Sequence, residues 1–90
     1  MRKIDITTQI WKKGRYFLAY CPELDFISQG KTIQEAKKHL MEVIDIQFEE
    51  MSKKETLYNY LAECGFNIGK KINIDREFIG FERTSCKVAV

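Results

Sequence analysis

At Thr32 the spacing of apolar residues changes from period two to a period of three to four. That switch divides the chain into a strand-forming part and a helix-forming part. Before it, Ile4, Ile6 and Ile10 alternate with Asp5, Thr7 and Gln9, which predicts a first strand over about 3–11 with one face turned to a core. "KKGR" (Lys12 to Arg15) supplies the glycine that a short hairpin loop uses for positive φ. The β-rich run Tyr16 to Cys21 follows at once, so strands one and two are expected to pair antiparallel. Pro22 cannot donate to a ladder and should end strand two. "FISQG" then reads as a short third strand closed by Gly30.

Thr32 and Glu35 form a capping box in which the hydroxyl satisfies a free amide of the first turn and the carboxylate reaches back to the cap amide. Behind it Ile33, Ala36, Leu40, Val43, Ile44, Phe48 and Met51 mark the apolar stripe of an amphipathic helix, about 33–50. A second box, Ser52 with Glu55, is expected to open a shorter helix through Leu57, Tyr58, Leu61 and Ala62, closed by a left-handed Gly65. In the remaining tail Ile72 and Ile74 alternate, and the firmest strand expectation falls on 86–90. The order β-β-β-α-α-β, with helices on one face of an antiparallel-rich sheet, is an α+β layer architecture. Ninety residues leave room for one domain, 1–90.

Charge does little to choose a function. A formal net charge of +2, with basic pairs interleaved with glutamates, describes solvated faces better than a nucleic-acid groove. No apolar run reaches the length of a membrane helix and the start has no secretory h-region, so a cytoplasmic protein is expected. Cys21, Cys64 and Cys86 are an odd number at wide spacing, which suits neither a disulfide framework nor a zinc site. No catalytic, cofactor or metal residue is assigned, and no cofactor is expected. His39 stands beside no nucleophile, and no phosphate loop or nucleophile elbow appears.

Aromatic residues are the better clue. Trp11, Tyr16, Tyr20 and Phe26 cluster around the first hairpin and its exit, and aromatics are favoured at the centres of protein interfaces. With Glu23 and Asp25 they form the candidate partner interface. A core this small, with such a hairpin, leads us to expect a homodimer formed through the sheet or its edge, or a tetramer of such dimers.

The stretch "YFLAYCPELDFISQGKTIQEAKKHLMEVI" resembles the HicB-like antitoxin family. The match falls on Tyr16, Ala19, Cys21, Pro22, Glu23, Leu24, Ser28, Gly30, Thr32, Glu35 and Ala36, and covers about a third of the chain. Pro22, Gly30, Thr32 and Glu35 are its structural residues, as turn and cap chemistry explains each of them. The family often has a glycine after Pro-Glu-Leu, where this chain has Asp25-Phe26.

The resemblance implies a reduced ribonuclease H-like core and a catalytically inert protein that neutralises a small basic HicA-type toxin ribonuclease by direct contact. Glu23, Asp25, Glu49 and Glu50 would then meet the toxin's basic surface. The active enzymes of that wider fold hold metals on clustered acids. Here Asp5, Glu35, Glu42 and Asp45 are the only obvious donors. The family usually carries a DNA-binding segment after the core. The corresponding region here, with Glu55 and Glu63 on its helix, does not favour sequence-specific DNA binding by this chain alone. The alternative is an RNA-associated or regulatory module of the same fold with no toxin partner.

Overall fold

The computed structural model describes residues 3–68, 72–74 and 78–89. Three strands, β1 (Gln9–Lys13), β2 (Tyr16–Cys21) and β3 (Phe26–Gly30), form an antiparallel sheet in the order β1-β2-β3. Two helices follow, α1 (Ile33–Lys53) and α2 (Leu57–Glu63), and then a separate small hairpin of β4 (Phe66–Ile68) and β5 (Ile72–Ile74). The α+β class stands.

Both hairpin turns are set by their left-handed residues. Gly14 has φ +60° at the first position of the two-residue β1–β2 loop, and Arg15 is not left-handed. That is the pattern of a type II′ turn, whose twist matches paired strands. The four-residue β2–β3 loop closes with the Asp25 amide donating to the Cys21 carbonyl at 2.8 Å, and Asp25 itself takes φ 57°. Aspartate is one of the few residues that tolerates this region, so the loop closes without a glycine.

The first strand is shorter than its alternation suggests. Residues 3–8 lie outside the ladder because the Thr7 amide donates to the Glu23 carboxylate, at 2.9 and 3.0 Å, rather than to a neighbouring strand. Ile4 and Ile6 still pack on the core, but the phase then breaks and Ile10 is exposed.

The register assigns the faces. Ala19 pairs with Ile10 and Ser28, and Phe17 pairs with Gly30, so Phe17, Ala19, Cys21, Phe26 and Gly30 share the side over which α1 lies. Ala36, Leu40 and Ile44 of α1 are buried there with Ala19, Cys21, Leu24, Leu61 and Phe66. Gly30 is required by that packing: a Cβ at this position would stand 2.5 Å from the Ala36 backbone nitrogen. Thr32 caps α1 as expected, its hydroxyl accepting from the Glu35 amide at 3.0 Å.

Two local expectations are corrected. Ser52 and Glu55 do not open α2. They end α1, which runs on to Lys53: the Thr56 amide donates to the Met51 carbonyl at 2.8 Å and the Glu55 amide to the Ser52 carbonyl at 3.2 Å, with Glu55 left-handed at φ 59°. This is a Schellman closure, with a glutamate where glycine is usual. Thr56 stands at the α2 N-cap without a side-chain cap bond, and Gly65, at φ 95°, does terminate α2 as foreseen. Residues 86–89 form no strand, and Val90 lies outside the described residues. The tail's strand is instead β5, paired with β4.

Candidate functional site

Because successive side chains on a strand point to opposite faces, the face of the sheet turned away from α1 follows from the same register. It carries Gln9, Trp11 and Lys13 from β1, Tyr16, Leu18 and Tyr20 from β2, and Ile27 and Gln29 from β3. Trp11 sits directly across from Leu18, and Tyr20 across from Ile27. No helix among the described residues covers this side. Trp11 is 50% exposed, Tyr16 47% and Ile27 56%, while Leu18 and Tyr20 between them are half-buried.

The face is ordered by its own polar contacts. The Trp11 indole N–H donates to Gln9 Oε1 at 3.3 Å, and the Tyr20 hydroxyl donates to Asp25 Oδ1 at 2.8 Å. Lys12, Lys13 and Arg15 are exposed around the β1–β2 turn and give one end of the face a basic rim. Neighbouring apolar and aromatic side chains of this kind make the face a candidate interaction surface.

The candidate interface residues therefore divide. Trp11, Tyr16 and Tyr20 come together on the open face, and Asp25 borders it through Tyr20. Phe26 points the other way and stacks on Tyr60 of α2, with ring centroids 5.9 Å apart and planes 10° from parallel. Glu23 is committed internally. Besides the Thr7 amide it accepts the Thr7 hydroxyl at 2.6 Å, and it lies 3.5 Å from the Cys21 thiol. Burial alone would push the Glu23 carboxyl up, but the hydroxyl and amide of Thr7 outweigh it and hold the group below its ordinary value. Leu18 and Ile27 complete the patch and were missed. Leu18 shares the parity of Tyr16 and Tyr20, whereas Ile27 becomes visible only once the four-residue loop fixes the register.

On the helical side an open groove of about 540 Å³ runs between the β2–β3 loop and α2, lined by Pro22, Leu24, Phe26, Tyr60 and Cys64 among others. The Tyr60 hydroxyl donates to the Leu24 carbonyl at 2.6 Å, and burial, followed by its contact with Cys64, pushes that phenol up. Burial likewise pushes the Cys21 thiol up, and the neighbouring Glu23 adds to it, so Cys21 packs as a small apolar side chain. The His39 ring, Nδ1 2.7 Å from the Gln29 carbonyl, ties α1 to β3. Asp5, Glu42 and Asp45 are exposed and Glu35 sits at the first turn of α1. Among the described residues no three His, Cys, Asp or Glu side chains gather as metal ligands would. No helix among them is long and apolar enough to cross a membrane.

Compared with protein-family models, with curated proteins and with solved structures, the chain matches none.

Proposed function

We propose that the chain is a HicB-like, antitoxin-type binding protein of the cytoplasm, without catalysis of its own, that neutralises a small basic HicA-type ribonuclease by covering it with the open face of its sheet. The observation that carries this reading is the set Trp11, Tyr16, Leu18, Tyr20 and Ile27, presented on one face of the sheet that no helix among the described residues covers. Rigid aromatic side chains with neighbouring aliphatics are what the centre of a protein interface needs. Asp25 at the border supplies the acidic complement to a basic partner. Glu49 and Glu50, exposed near the end of α1, would act as a second, peripheral acidic site, Glu49 being already paired with Lys53 at 3.3 Å. A reduced ribonuclease H-like ancestry agrees with three antiparallel strands followed by a crossing helix, and in this reading Asp5→Asn leaves the protein folded and changes no activity.

One observation favours a second reading. Lys12, Lys13 and Arg15 beside Trp11 and Tyr16 would also suit single-stranded RNA, stacked on the rings and held by the basic rim. Purification from native lysate separates the two. We expect a stoichiometric small basic protein with the wild-type chain and its loss with Trp11→Glu. Recovery of RNA in place of a protein favours the second reading and rejects the first.

A further inference from the structure

We propose that the C-terminal segment, 78–89, of one copy adds as a strand to the free edge of β1 in a second copy, so that two chains exchange tails in a closed dimer. Two incomplete halves of one interaction stand in the same molecule. Among the described residues β1 pairs with β2 on one side only, and beyond Gln9 every residue in it is exposed. Ile10, on the helical side, and Trp11, on the open side, are 38% and 50% exposed, so this strand lacks cover on both faces as well as a neighbour at its edge. Such an edge is a template for another strand. Lys12 and Lys13 guard its turn end and leave Gln9 to Trp11 open.

The tail is the complementary case. Phe78, Ile79, Phe81 and Val88 are 67, 88, 82 and 74% exposed, and 78–89 make no ladder within their own chain. Thr84, Cys86 and Val88 alternate with Ser85, Lys87 and Ala89, which gives a strand one apolar face and one polar or small face. Six residues of strand extend about 20 Å, enough to run the length of a five-residue edge. Residues 78–89 do not pair with β1 of their own chain, and the proposal seats them on the partner's edge. Reciprocal exchange satisfies both edges by one two-fold operation and stops there. The added strand lies in the plane of the sheet, so the open face remains available to a different partner, and this inference does not rest on the toxin reading.

Cys86 makes the test direct, since it lies exposed in the tail. In the 90-residue chain carrying Cys64→Ser, cysteines are introduced singly as Thr8→Cys, Ile10→Cys and Lys12→Cys, oxidised at about 10 µM, a working concentration above the dissociation constant of a tight dimer, and mapped by peptide mass. We expect Cys86 bonded to the introduced cysteine of a second chain in at least one variant. In the otherwise wild-type chain, light scattering should give twice the chain mass, falling to the monomer mass with Val88→Pro while far-ultraviolet circular dichroism is retained. Bridges confined to single chains, no bridge at any position, a monomer in the wild type, or a dimer indifferent to Val88→Pro would each overturn the exchange.

Discussion

Glu23 shows how one side chain can leave the interface and enter the fold. By sequence it is an acidic group beside an aromatic cluster; in the structure its carboxylate clamps the N-terminal segment through Thr7. Its pKa is lowered on folding, so its stabilisation is fully present above the unfolded value and disappears as pH falls through the folded value. Glu23→Gln should therefore lower stability at pH 7 by about 1 kcal/mol, a charged hydrogen bond discounted for solvent. The difference from wild type should close as denaturation is repeated toward pH 3. A difference independent of pH would mean that the carboxylate's charge plays no part. Gly30 is decided by distance alone. Gly30→Ala drives a methyl against the backbone of α1 and should cost roughly 2–3 kcal/mol in urea unfolding, as overpacking does.

The elements differ in how far they could be read from the sequence. Strands β2 and β3 and the start of α1 were legible because local chemistry and tertiary packing agree there: Pro22 stops β2, Gly30 ends β3 and Thr32 caps α1. The junction of the helices was not, because Ser52 and Glu55 satisfy the capping-box pattern while the amides of Glu55 and Thr56 turn back to α1. One amide pattern fits a helix start or a helix end, and only the left-handed Glu55 decides. Glu55→Gly should consequently stabilise the protein by about 0.5–1 kcal/mol by removing the cost of a side chain at positive φ. A loss of thermal stability would count against the Schellman closure. The phase break between Ile6 and Ile10 was equally hidden, since it depends on Thr7 meeting a residue sixteen positions away.

On the scale of the whole molecule the protein is a sheet with one face spent and one face open. α1 consumes the first, while Trp11, Tyr16, Leu18, Tyr20 and Ile27 form the second. Trp11, Tyr16 and Tyr20 of the open face were legible as an aromatic cluster, but alternation alone could not say which side of the sheet they took, because that depended on where α1 docked. Trp11 is the only tryptophan in the chain and its side chain lies on the open face, so its single resonance reports there. The most direct test is ¹⁹F NMR of the protein labelled with 5-fluorotryptophan, recorded free and in complex with the basic protein that the proposed function expects to copurify with it. Covering of the open face predicts that the single resonance moves and loses its solvent-isotope shift in the complex. A resonance that stays in place and keeps that shift in a complex shown by light scattering to be fully formed would contradict it, because the partner would then be bound elsewhere.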